Sequence, residues 1–136
     1  MQLSKLFEVQ TQKLSLKHFF TGEDTPIEFE IYPKNSRVGK KAEHEMRMQT
    51  LSLLQDENNI DQTTKNLKTE LIEDISLNYL ASLVVDWKGI TNDKEKPIKY
   101  TKNECIKIFK EYPEICDLVY KFVEDKEVFQ MKPNKS

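Results

Sequence analysis

Apolar positions along this chain change their period with distance from the N-terminus. Leu14 and Leu16 alternate with Lys13, Ser15 and Lys17, and the run ends in Phe19 and Phe20. After Thr21-Gly22-Glu23-Asp24-Thr25-Pro26, a stretch suited to reversing the chain, Ile27, Phe29 and Ile31 alternate with Glu28 and Glu30. A period of two with one apolar and one charged face is the pattern of a half-buried strand, so a β-hairpin is predicted over Lys13 to Tyr32. A lone hairpin is marginal in water, so its apolar face must lie on helices or gain another strand. Leu3, Leu6, Phe7 and Val9 before it suit either a short helix or a third strand.

Beyond the hairpin the period lengthens to that of a helix. Asn35 or Ser36 can cap a helix running to about Gln55, with Ala42, Met46 and Leu53 on one narrow stripe and Leu54 beside it. A stripe that narrow belongs to a surface helix. Gln55 to Asp61 is a polar connector. The longest helix is predicted from Gln62 to Trp87, with Ile72, Ile75, Tyr79, Leu80, Leu83, Val84 and Trp87 on a broad apolar face and Gly89 releasing the chain. Ile90, Ile98 and Tyr100 tack the following polar loop to the core. Thr101 and Glu104 form a capping box for a short helix carrying Cys105, Ile106 and Phe109. Pro113 suits the first turn of a final helix, where its missing N–H costs nothing, and Ile115, Val119, Phe122 and Val123 supply the buried stripe. The fold class is α+β, mainly α: an N-terminal hairpin packed on about four helices. The chain reads as one domain over 1–136, divided into a hairpin region at 1–34, a helical region at 35–130 and a disordered tail at 131–136.

Composition narrows the function more by exclusion than by assignment. The 136 residues are 38% hydrophobic and 32% charged, with 21 basic and 23 acidic side chains interspersed for a net charge of −2. That balance creates no long-range field for nucleic acid or an anionic membrane. The N-terminus lacks the apolar core of a signal peptide, and Tyr79 to Val85 is far short of the ~20 apolar residues that span a bilayer, so a soluble cytoplasmic protein is expected. Cys105 and Cys116 lie among apolar neighbours and read as buried reduced thiols.

No catalytic or metal constellation converges. His18 falls on the hairpin. His44 opens His-Glu-Met-Arg-Met, but Met48 stands where a zinc-protease helix needs its second histidine. The two cysteines lack a partner pair at zinc-finger spacing, and Gly22, Gly39 and Gly89 are too scattered for a phosphate loop. No cofactor and no catalytic residue are therefore expected. Lys34, Arg37, Lys40 and Lys41 form a basic run, but Glu43 and Glu45 follow at once, so a charged helix start outweighs a nucleic-acid arm. Trp87, at the end of an apolar helix, fits the core better than an exposed anchor.

The segment Val84-Val85-Asp86-Trp87-Lys88-Gly89-Ile90, then Pro97-Ile98-Lys99-Tyr100-Thr101, a helix and Tyr112-Pro113, resembles the tail assembly chaperones of long-tailed bacteriophages and prophages. The resemblance covers Leu67 to Val128 and rests on Trp87, Gly89, Pro97, Tyr100, Thr101 and Pro113, which read as residues that hold the fold. Asn92 to Lys96 lack the glycine common in that loop, a departure that bears on turn geometry. The resemblance implies a non-enzymatic protein of the bacterial host cytoplasm that binds the tape measure protein and recruits tail tube subunits, with self-association possible and neither nucleic acid nor membrane as partner. In some such proteins a frameshift appends a second domain, and Lys132 to Ser136 is where one would begin. Apolar or amphipathic groups on thinly covered elements are the expected contacts: Phe19, Phe20, Met46, Met48, Phe129 and Met131, each of which also fits a core position. A structural tail or head-to-tail connector subunit is the first alternative, and a small nucleic-acid-binding regulator using Lys34 to Lys41 the second.

Overall fold

The computed structural model describes residues 1–55 and 62–125, with the backbone alone for 62–66. The polar connector Asp56 to Asp61, Phe129, Met131 and the tail at 131–136 lie outside the described residues. The order is a 3-10 turn at Leu3–Phe7, strands β1 (Gln12–Lys17) and β2 (Asp24–Ile31), helices α1 (Arg37–Leu54) and α2 (Gln62–Leu83), strand β3 (Val84–Lys88), and helices α3 (Lys102–Glu111) and α4 (Pro113–Glu124). The fold is α+β and mainly α.

The period-two segments form the expected antiparallel hairpin, with Leu14 paired to Phe29 and Lys13 to Glu30. Leu16, Phe29 and Ile31 are buried, while Glu28 on the outer face lies between Lys13 and Lys88. The hairpin turn closes through the His18 amide, which donates to the Glu23 carbonyl at 2.8 Å. His18 Nδ1 also accepts the amides of Phe20 and Thr21, each at 3.2 Å. The opening residues take the helical option, as the 3-10 turn, and the Arg37 guanidinium sits 3.9 Å above the Phe7 ring.

Ser36, rather than Asn35, caps α1. Its hydroxyl accepts the Gly39 amide at 3.1 Å and donates to the Pro33 carbonyl at 2.6 Å, satisfying one of the unpaired donors of the first turn. Only Gly39 and Ala42 of α1 are buried, as a narrow stripe requires, and the helix lies against α2 outside the central core.

The long helix does not reach Trp87. It ends at Leu83, and Val84–Lys88 becomes a third strand, antiparallel to β2, in a sheet ordered β1-β2-β3. The partner that the hairpin lacked is thus a strand drawn from the predicted helical region. Phe29 pairs with Trp87, Glu30 with Asp86 and Ile31 with Val84, leaving Val85 as the extra residue of a bulge. The bulge turns both Val84 and Trp87 toward the core, three positions apart, where a regular strand would put them on opposite faces. Helical spacing and a bulged strand are indistinguishable here by period alone. Two β-branched valines and a tryptophan favour the strand.

Tyr100 closes the junction between helix and strand. Its hydroxyl donates to the Val84 carbonyl at 2.6 Å, with the Ala81 carbonyl at 3.4 Å. Ile90, Ile98 and Tyr100 pack on the core as expected. The loop between them is a small hairpin in which Asn92 Oδ1 accepts the amides of Lys94 and Lys96. Glu95 takes the left-handed conformation (φ 60°) that a glycine would adopt without strain, the consequence of the glycine-free loop.

Thr101 Oγ1 accepts the Glu104 amide at 3.0 Å, but the returning bond from the Glu104 carboxylate is not made, so only half of the capping box forms. Pro113 occupies the first turn of α4. Phe29, Ile31, Leu83, Cys105, Phe109 and Val119 form the fully buried centre, where the sheet meets α2, α3 and α4. Both cysteines are free, but only Cys105 is buried; Cys116 is half-buried, because it lines a cleft instead of the core.

Burial pushes the Cys105 thiol from 9.0 up to about 12, and burial likewise pushes the Tyr100 phenol from 10.0 up to about 12. Both are neutral when protonated, and the unfolded chain loses these protons first. Their contribution is therefore complete below pH 9 and disappears as pH rises toward 12. Denaturant midpoints measured across that window should fall with pH, and Tyr100→Phe should make the fall shallower.

Candidate partner-binding surface

Helix α2 contacts all three other helices, α1 most extensively. Because α1 buries so little, the seam between it and α2 stays open. At its upper end a cleft of about 650 Å³ is lined by Lys34, Met46, Leu77, Tyr79, Leu80 and Tyr120, among others. Lys34 Nζ bonds Glu124 Oε2 at 2.8 Å across its rim, joining the start of α1 to the end of α4. That hydrogen bond raises the lysine pKa, and burial raises that of Tyr79. Apolar walls, aromatic hydroxyls and a charged rim suit the side of an amphipathic helix better than a small polar ligand.

Further along the same seam, a cleft of about 540 Å³ runs between Leu53, Leu71, Ile75 and Ile106, bordered by the Lys110–Asp74 ion pair. Leu51, Leu54, Leu67 and Leu71 are roughly half exposed on the two helices that flank it. Ile72, Leu77, Phe109, Pro113 and Cys116 line a groove of about 780 Å³ between α2 and the start of α4, which shares Leu77 and Cys116 with the first cleft.

The structure separates the contact residues expected from the sequence. Met46 lines the first cleft beside Tyr79 and Tyr120. Met48 is half exposed elsewhere on α1, because two residues along a helix face nearly opposite directions. Phe19 and Phe20 sit at the turn between β1 and β2, with Phe20 95% exposed, and neither borders a helical cleft. Sequence reasoning missed Tyr120 and Glu124 and weighed Lys34 only as part of a basic run; the three converge only through tertiary packing. It also missed Leu51, Leu54, Leu67 and Leu71, whose three- and four-residue spacing was a legible signal.

Five of the residues that carry the resemblance lie from β3 to the start of α3, and the sixth, Pro113, opens α4. The Trp87 indole N–H donates to the Ile98 carbonyl at 2.8 Å, and its ring meets Phe29 and Tyr100 edge to face, with centroids 5.9 and 5.0 Å away. Gly89 approaches Pro26, Pro97 bridges Thr91, and Thr101 and Pro113 begin helices. Of these six, only Pro113 borders a helical cleft.

In the basic run, Lys34 is engaged by Glu124 and Arg37 by Phe7, so part of the charge a nucleic-acid arm would use is held within the fold. Among the described residues no three His, Cys, Asp or Glu side chains gather as metal ligands, and no helix is long and apolar enough to cross a membrane.

Neither a curated protein nor a solved structure matches this chain significantly. The YdaY prophage protein family does match, over residues 35–135. That span takes in the cap of α1, all four helices, β3 and the lining of the three clefts apart from Lys34, leaving out residues 1–34 and Ser136. The chain belongs to the YdaY prophage protein family.

Proposed function

We propose that this prophage protein is a tail assembly chaperone, which covers the apolar face of tape measure protein helices and helps to recruit tail tube subunits around them. The observation that carries this reading is the open seam along α2, where Met46, Tyr79, Tyr120, Leu53 and Leu71 line consecutive clefts with charged rims. A long amphipathic helix without its final neighbours self-associates, and a groove of adaptable methionine and leucine side chains can hold it apart. Membership in a prophage protein family and the resemblance around Trp87 support this reading.

Co-expression with a tape measure protein fragment provides the test. The chain is expected to keep the fragment soluble and to co-purify with it. Met46→Glu, which puts a charge into the first cleft, should weaken that association about tenfold, as loss of a central contact does. No gain in solubility would sink the proposal. Recovery of the protein as a stoichiometric part of finished particles would favour a structural tail subunit instead.

A further inference from the structure

The three-stranded sheet has two edge strands, β1 and β3, and of these β1 has the less support from helices, independently of the helical clefts. β1 is an edge strand, and no described strand lies beyond it. It is held almost entirely by β2, with little support from helices. Leu14 faces inward beside Phe29, yet remains half-buried while Phe29 is completely covered. The core layer therefore stops one strand short at this edge.

Charge on the outer face indicates what would complete it. Glu28 of β2 is flanked by Lys88 of β3 at 3.3 Å and by Lys13 of β1 at 3.8 Å, so basic and acidic groups alternate around Glu28, although Glu30 in the next row faces Lys13 on one side and Asp86 on the other. Lys17 and Asp24 make a second such pair at 3.8 Å. Both lysines of β1 are about two-thirds exposed, with room for another anion on their open side. A further strand beside β1 continues the alternation only if its outward residues are acidic and its inward residues apolar. A second copy of β1 does not qualify. Antiparallel self-pairing about Ser15 sets Lys13 against Lys17 of the other copy, and like charges directly opposite are destabilising. The same lysines that discourage self-pairing thus select an acidic partner strand.

We propose that β1 is a docking edge for an extended segment of another protein in which acidic and apolar residues alternate, added to the sheet as a fourth strand by main-chain hydrogen bonding. The probe is a short blocked peptide alternating glutamate with valine, compared with one alternating lysine with valine. Binding is followed by titration, and amide hydrogen exchange is read residue by residue. The glutamate peptide should bind in preference to the lysine peptide and slow exchange along residues 12–17. Replacing both Lys13 and Lys17 by serine, which leaves the inward face untouched, should weaken the glutamate peptide about fivefold, the scale of two exposed ion pairs. The Lys13→Glu, Lys17→Glu variant should reverse the preference. No binding of the glutamate peptide, equal affinity for both peptides, or protection away from β1 would each overturn the proposal. Any of these results leaves the helical-cleft reading standing, since that reading is tested with Met46 and a helical fragment.

Discussion

Trp87→Ala is expected to remove about 3–5 kcal/mol of stability, the range for deleting a large aromatic side chain from a packed interior. A small domain has only about 5–15 kcal/mol in total, so the variant should be at or near global unfolding. The expectation is this large because Trp87 joins three separate parts of the fold. Its ring meets Phe29 of β2 and Tyr100 of the following loop, and its indole N–H holds the Ile98 carbonyl. Losing the ring opens a void where β3, β2 and the loop meet. Trp87→Phe separates the contributions. It retains an aromatic ring but leaves the Ile98 carbonyl without its donor, which costs about 1–2 kcal/mol. Chemical denaturation followed by far-UV circular dichroism measures both variants. Trp87 is the sole tryptophan, so its emission in the parent protein should shift to longer wavelength in step with the loss of helix. A Trp87→Ala variant as stable as the parent would refute this picture of the junction.

Gly89→Ala should be nearly as damaging, for a different reason. Gly89 has φ +84°, and a Cβ there would lie 2.1 Å from the Pro26 carbonyl oxygen, 2.5 Å from its carbon and 2.9 Å from the Ile27 nitrogen. All three obstacles are backbone atoms of β2, so no side-chain rotation relieves the clash. The substitution combines the left-handed backbone penalty with displacement of β3 from β2, for an expected loss of about 3 kcal/mol or more. Gly22→Ala is the internal control. Its φ is +72°, but nothing lies within 4 Å of the added methyl, so only the conformational penalty of about 1 kcal/mol remains. Thermal melts of the two variants should therefore differ clearly. Equal destabilisation would mean that the approach to Pro26 is not what requires glycine at position 89.

The elements legible in the sequence are those whose signals are local. The hairpin follows from strict alternation at Ile27, Phe29 and Ile31, the start of α1 from Asn35 or Ser36, that of α3 from Thr101, and that of α4 from Pro113. β3 escaped because its bulge at Val85 reproduces helical spacing, so Val84 and Trp87 continue the stripe of Leu80 without a break. Its strand character depends on Phe29 and Ile31, far earlier in the chain, offering an open edge for it to pair with.

The candidate surface was less visible for the same reason. Met46 could be identified as an adaptable side chain on a thinly covered helix. Nothing near it in sequence reveals Tyr79 and Tyr120 as its neighbours, or the bond from Lys34 to Glu124 across 90 positions. The half-exposed leucines of α1 and α2 show the converse: their spacing was plain, but which of them the core would cover depended on how closely the helices packed.

Periodicity, caps and chain breakers are properties of neighbouring residues, and they were enough to establish an α+β chain with an amphipathic hairpin and the helix starts at Asn35-Ser36, Thr101 and Pro113. The third strand, the aromatic junction at Trp87, the open seam along α2 and the bare edge of β1 arise where distant segments meet. Their energies come from burial, strand pairing and close backbone approach, none of which exists until the chain has folded.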